Sequence, residues 1–311
     1  MSKLTKDEVI SRAALFVASV FWGTTFVIIS STNDYFRPAF LVFMRCAIGS
    51  FVLVLFFIKR LRRLTRRYFF ISGALGLLMT LGYLLQGIAI TNAGCPPGRC
   101  GFLVATYCVL TPFVAWVLDK KKPDAYNIIA AVLCLTGVVF ISLPDLLQDA
   151  DVAVNVGDLL ALASSLIFAL YLVYVGRYIN VLDPMLFTIG NLFFGGVYAG
   201  IYTYFFEDNS GTVWNMHSIF SVLYLAVICM AITNVLQAVG QRHAPPSTTA
   251  LIFSLESVFG IIFAITFWHE EVTPMLLLGC LFIFIAIVVS ETKFGFLKKK
   301  LSSRVFKKFL S

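Results

Sequence analysis

Apolar runs long enough to cross a bilayer recur ten times along this chain, and that feature constrains the fold more than any other. They fall near residues 13–33, 38–58, 68–91, 98–118, 124–143, 157–176, 182–206, 216–240, 246–268 and 274–291, with short polar or charged breaks between them. A helix rises about 1.5 Å per residue, so roughly 20 apolar residues cross a bilayer core of about 30 Å. Of the 311 residues 59% are hydrophobic and only 13% charged, whereas soluble domains run near one quarter charged. Too few polar side chains remain to clothe a soluble core. The expected fold class is an all-α polytopic membrane protein with ten transmembrane helices.

The net charge of +8 would point to nucleic acid in a soluble chain. Here the cations cluster at helix ends, so no nucleic-acid partner is expected. Placed on alternate sides of ten crossings, 21 of the 24 Lys and Arg residues fall on the side of both termini. Only Arg37 and Arg99 fall on the other side, and Arg45 lies within a helix. Basic loops stay inside, so both termini are expected in the cytoplasm of a plasma (inner) membrane protein. The polar start, Met1–Arg12, leads into an apolar run with no small-residue cleavage site, which predicts a retained first helix rather than a signal peptide. Seven scattered cysteines are not a disulfide framework. Cys95 and Cys100 flank an outer turn, either as a disulfide or as free thiols.

The chain also repeats itself. Asp119-Lys-Lys-Lys-Pro123 after the fourth apolar run and Glu270-Glu-Val-Thr-Pro274 after the ninth both place an acid four residues before a proline. A unit of five crossings is odd, so two copies insert with opposite orientation, a plan in which transporters place substrate at the repeat interface near midplane. The expected organisation is a cytoplasmic N-terminus at 1–12, a first five-helix repeat at 13–143, an outer linker at 144–156, a second at 157–291, and a basic cytoplasmic tail at 292–311. The tail mixes Phe294, Phe296, Leu301, Phe306 and Phe309 with six cations, a pattern suited to an inner leaflet rich in anionic lipid.

Several stretches resemble the drug/metabolite transporter superfamily in its EamA-type branch. They are Trp22-Gly23-Thr24-Thr25-Phe26, Arg45, Gln86-Gly87-Ile88-Ala89 with Thr91-Asn92-Ala93, Gly101-Phe102-Leu103, Leu110-Thr111-Pro112, Gly157-Asp158-Leu159-Leu160-Ala161-Leu162, and Leu255-Glu256 followed by Glu270-Glu271-Val272-Thr273. The resemblance implies ten helices as two inverted five-helix repeats, and export of amino acids or related metabolites. The chain departs from the pattern at Ser257, where proline is usual, at Asp119 in place of glutamate, and in Cys95-Pro96-Pro97-Gly98-Arg99-Cys100.

Glu256 is the one acid well inside a predicted helix, and it shares a face with Thr249, Phe253 and Gly260. A central carboxyl is costly in lipid, about 2.5–3.5 kcal/mol on insertion scales, so it should face protein or water. It is either a coupling or gating residue or a structural acceptor between helices. Asn234, Gln237 and Gln241 share a face of the eighth helix, as cavity lining or interhelical glue. Tyr83 and Gln86 share a face of the third, Tyr107 and Thr111 of the fourth, Tyr171 and Tyr174 of the sixth. Trp22 lies too deep for an interfacial belt. The candidate substrate-binding set is therefore Trp22, Tyr83, Gln86, Tyr107, Thr111, Tyr171, Asn234 and Gln237, with Glu256 for coupling or gating. Ordinary packing is the competing account of the aromatics. Arg45 either snorkels outward or pairs with an inner carbonyl. His217, His243 and His269 sit at helix ends, better placed as interfacial residues than as metal ligands.

No phosphate loop, metalloprotease helix or nucleophile elbow occurs, so no catalytic, cofactor or metal site is expected. The leading expectation is a secondary transporter of small organic metabolites working by alternating access, with protons as a candidate coupling ion and the oligomeric state open. The alternatives are a lipid-modifying membrane enzyme, which needs a cluster of intramembrane Asp, His or Ser, and a receptor or scaffold, which needs an extramembrane domain.

Overall fold

Continuous apolar sequence makes the helices, and proline and cap chemistry set where they begin. The computed structural model describes residues 6–120, 122–148, 155–179, 181–243, 252–269 and 271–292. All regular structure among them is helical. The first span is α1 (Lys6–Ser31) and the second α2 (Pro38–Phe57), which runs into a tight helical turn at Ile58–Arg63. The third is α3 (Arg66–Thr91), and the fourth is α4 (Pro97–Ala105) followed by α5 (Tyr107–Asp119). The fifth, sixth and seventh are α6 (Ala125–Gln148), α7 (Val156–Tyr178) and α8 (Pro184–Phe206). The eighth runs from α9 (Met216–Leu223) through a π-helical stretch, Tyr224–Ile232, into α10 (Thr233–His243). The ninth is described from Ile252 and holds α11 (Leu255–Trp268), and the tenth is α12 (Pro274–Thr292).

Among the described residues, seven spans are long and apolar enough to cross a membrane, and α6, α11 and α12 supply shorter apolar helices at the fifth, ninth and tenth positions. The expected ten-helix architecture stands, with local differences. The first helix is already formed at Lys6, the first described residue, rather than beginning near 13, and Asp7 and Glu8 at this end complement the positive end of the helix dipole. The fourth span is not one helix but breaks at Thr106. Asp149, Asp151, Thr249 and the tail from Lys293 onward lie outside the described residues.

Pro opens α2 and α8, where its missing N–H costs nothing. Asp183 accepts from the Met185 backbone N–H at 2.9 Å, and Asn215 with Ser218 forms a reciprocal capping box at α9. Helix α2 has no cap of its own. The Glu207 carboxylate, from the end of α8, accepts the Ala39 and Phe40 N–H groups at 2.9 Å each, so a distant acid serves as the N-cap.

The two halves interlock, and their most extensive packing partnerships are mirrored. The first span packs on the eighth and ninth, while the sixth packs on the third and fourth. The second packs on the seventh, the fourth on the ninth, and the fifth on the tenth. That last crossing is close: a Cβ on Gly137 would stand 2.7 Å from the Gly279 carbonyl oxygen and 2.7 Å from Ile283 Cγ1. Two further features repeat. The fourth and ninth spans each end on a non-glycine residue in the left-handed region, Lys120 (φ 59°) and His269 (φ 52°). Each is also interrupted by a hydroxyl residue of near-identical backbone, Thr106 (φ −59°, ψ −15°) and Ser254 (φ −61°, ψ −19°).

Candidate functional site

The two interruptions lie beside a cavity on the line where the halves meet. Thr106 Oγ1 donates to the Leu103 carbonyl at 2.7 Å and lies 2.9 Å from Ser165 Oγ. Ser257 Oγ donates to the Ser254 carbonyl at 2.8 Å. Each tightened turn is followed within two residues by a side chain that enters the cavity, Tyr107 in one half and Glu256 in the other.

The cavity is lined by thirteen residues, and ten of them pair across the repeat. Trp22 answers Tyr171, Tyr83 answers Asn234, Gln86 answers Gln237, Val104 answers Phe253 and Tyr107 answers Glu256. Each pair is separated by 149 to 151 positions. Thr25, Phe168 and Leu172 complete the lining. The substitutions across the repeat are chemical as well as steric. The amides of Gln86 and Gln237 match, but a phenol in the first repeat stands where the second has the carboxyl of Glu256.

Neighbouring helices hold these side chains in place. The Trp22 indole N–H donates to the Cys229 carbonyl at 3.2 Å, inside the π-helical stretch, and its ring meets Phe253 edge-on at 5.1 Å. Tyr83 meets Phe168 edge-on at 5.2 Å. The Asn191 side-chain amide donates to the Tyr171 hydroxyl at 3.0 Å, and that of Asn234 to the Met230 carbonyl at 2.8 Å. Thr24 Oγ1 and the Tyr224 hydroxyl lie 3.0 Å apart. A π turn widens the helix and shifts the phase of the residues after it. Asn234 and Gln237 come after that stretch and reach the cavity, whereas Gln241 lies outside its lining. Glu256 is the lone carboxyl of the lining and makes no ion pair among the described residues.

Seven of the eight sequence candidates, together with Glu256, thus surround one void. Thr111 is the exception. Its hydroxyl is turned back on its own helix and donates to the Tyr107 carbonyl at 2.7 Å, so it supports Tyr107 from behind. Tyr174 lies under Arg177, 4.8 Å from ring centroid to guanidinium carbon, and is likewise outside the lining. Thr25, Val104, Phe168 and Leu172 were not singled out in sequence. The motif Trp22-Gly23-Thr24-Thr25-Phe26 contains the first, but the apolar three carry no mark to separate them from core.

Arg45 does not snorkel. It is 1% exposed, and its guanidinium sits over the Tyr83 ring at 5.0 Å, behind the cavity wall. Arg99, placed in sequence at an outer loop, is buried in the first turn of α4 and paired with the equally buried Asp158 of α7. Cys95 and Cys100 are buried free thiols, and the Cys95 thiol lies 3.7 Å from Asp158 Oδ1. His217 packs on Tyr35 with ring centroids 5.6 Å apart, and His269 ends α11.

The cavity measures about 70 Å³, room for two or three waters at roughly 30 Å³ each, against about 300–1,000 Å³ for sites that enclose organic ligands. A mixed aromatic and amide lining can stack on a small molecule and hydrogen-bond to it. The walls must part before one of metabolite size can enter.

Comparison with known proteins agrees with this architecture. The pattern that defines the EamA-like transporter family matches residues 11–143 and again 155–292. A transporter of Archaeoglobus fulgidus is 26% identical over 285 residues, covering 88% of this chain and 83% of that protein. The transporter YvbV of Bacillus subtilis is 27% identical over 293 residues, covering 91% and 92%. A protein known from a crystal structure shares the fold with a TM-score of 0.67 at 18% identity, over 94% of this chain and 98% of its own. With both repeats matched and the fold shared end to end, the chain belongs to the EamA-like transporter family.

Proposed function

We propose that this membrane transporter is a secondary carrier that exports small organic metabolites, amino acids or related compounds, across the plasma membrane by alternating access. The observation that carries the reading is the cavity lined in pairs across the repeat. When two inverted halves exchange conformations, a site on their shared axis keeps its lining while its opening changes sides. The narrowness of the cavity fits a step of that cycle in which the walls are drawn together. The lining supports a substrate of that class. Aromatic faces take an apolar side chain, amides take its polar groups, and Glu256 accepts an amino group or a proton.

The lone Glu256 breaks the symmetry of the cavity, since its repeat mate Tyr107 is a neutral phenol. A carboxyl on the path of both openings is positioned to bind a proton from one side and release it to the other. A lipid-modifying enzyme gains no support, because among the described residues the lining brings no Asp, His or Ser beside Glu256.

The direct test is uptake of labelled metabolites by proteoliposomes, with and without an imposed pH gradient. Saturable uptake of an amino acid or a related compound, accelerated by the gradient, is expected. Failure of every small metabolite in a broad panel to move above protein-free vesicles would overturn the reading. An orientation with both termini inside is supported by the distribution of basic residues. In a cysteine-free background, Asp208→Cys between α8 and α9 should react with an impermeant thiol reagent in intact cells. Reaction only after permeabilisation would reverse the orientation.

A further inference from the structure

A second cavity lies away from the repeat axis, at the end of the bundle that carries the basic cluster. Its walls come from the end of α2, the turn at Ile58–Arg63, the start of α3 and the first half of α8. It measures about 510 Å³, large enough for an organic ligand where the axial cavity is not. Its lining is mostly apolar, with Val54, Leu61, Leu64, Ile189, Phe193 and Phe194 prominent. Leu64, Phe69 and Phe193 are 50%, 59% and 56% exposed, so the groove opens on the lateral surface that a bilayer would cover. Arg66 is the one cation of its lining.

Charge lies beside it. Lys59, Arg62, Arg63, Arg66 and Arg67 are all exposed, while Arg60 is held by Asp183 at 3.0 Å. Five exposed cations, Arg66 in the lining of the apolar groove and four more in the segment 59–67 that borders it, would repel a second copy of the same surface and would suit an anion attached to a hydrocarbon chain. Clustered Lys and Arg at the membrane surface attract anionic headgroups, and each buried methylene adds to the affinity. We propose that the groove between α2, α3 and α8 is a binding site for one anionic phospholipid, its acyl chain among Val54, Ile189 and Phe193 and its phosphodiester on Arg66 and neighbouring cations.

Native mass spectrometry of the purified full-length protein tests this, with phosphatidylglycerol and phosphatidylethanolamine of identical acyl chains as probes. One phosphatidylglycerol should be retained at least tenfold better than phosphatidylethanolamine at equal concentration. Arg66→Gln combined with Arg67→Gln, both at exposed positions, should bring that ratio near one. Val54→Trp, which fills the groove, should abolish the tight lipid while leaving loosely held lipids unchanged. Equal retention of the two lipids by the unaltered protein overturns the proposal, as does undiminished preference in the charge variant. If Val54→Trp does not fold, a photoactivatable phosphatidylglycerol takes its place. It should crosslink within 61–69 or 189–194, and crosslinks confined to other surfaces overturn the site.

Discussion

Removing Asp158 tests the most deeply buried charge pair among the described residues. Asp158 and Arg99 have side chains only 2% and 9% exposed, and they tie α7 of the second repeat to α4 of the first. The pair need not stabilise the fold against an apolar alternative, because desolvating both ions offsets much of their attraction. Removing one partner is different. Asp158→Ala takes the carboxylate partner of a buried pair away from the Arg99 guanidinium, a loss of about 3–5 kcal/mol. For domains of 150–250 residues each kcal/mol shifts the melting temperature by roughly 2–4 °C, so a drop of about 6–20 °C is expected, nearer the lower figure for a longer chain. Scanning fluorimetry of purified protein in detergent reads the shift, and Arg99→Met with Asp158→Leu supplies the control. Replacing both ions by apolar groups of similar size should recover most of the loss. The reasoning fails if Asp158→Ala melts within about 2 °C of the parent, a shift worth no more than about 1 kcal/mol. It fails equally if the double variant is as unstable as the single one.

Glu256→Gln keeps shape and hydrogen bonding but cannot ionise. Gradient-driven accumulation should be lost with substrate exchange retained, and an unchanged pH profile of accumulation would show that Glu256 carries no proton. Gln86→Ala and Gln237→Ala occupy matching places in the two repeats, so each should raise KM by a similar factor. The loss of one hydrogen bond of about 0.5–1.5 kcal/mol corresponds to roughly two- to twelvefold, and a large KM effect from only one of them would break the equivalence. Gly137→Val forces a side chain against the Gly279 carbonyl and should cost about 1–3 kcal/mol of stability through overpacking. A melting temperature equal to the parent's would show that the fifth and tenth spans leave room for a side chain between them.

The helices and their duplication were legible from periodicity and partition. Ten apolar runs, the asymmetry of Lys and Arg, and the acid-to-proline hairpins at Asp119 and Glu270 are one-dimensional signals. Bilayer thickness and backbone hydrogen bonding turn them into ten helices in two copies with little freedom left. Helical spacing likewise put Asn234 with Gln237 and Tyr83 with Gln86, because polar or amphipathic side chains in an apolar run must face protein. The sites of contact between spans were not encoded that way. Thr111 shares a helical face with Tyr107, yet its hydroxyl is satisfied by a carbonyl one turn back, a local bond that spacing cannot distinguish from one to a ligand. Arg99 looked like an outer-loop cation until the approach of α7 brought Asp158 to it. Spacing left Arg45 open between snorkelling outward and an inner partner until the third span laid the Tyr83 ring beneath its guanidinium. Phe168, Val104 and Leu172 line the cavity with side chains no different from many that fill the core. Helix number, placement and duplication can be read along the chain because each depends on the energy of a single segment in lipid or in water. Which faces meet around the void depends on the close packing of segments distant in the chain, where one glycine or one π turn rotates a whole face, and that emerges only when the spans are assembled.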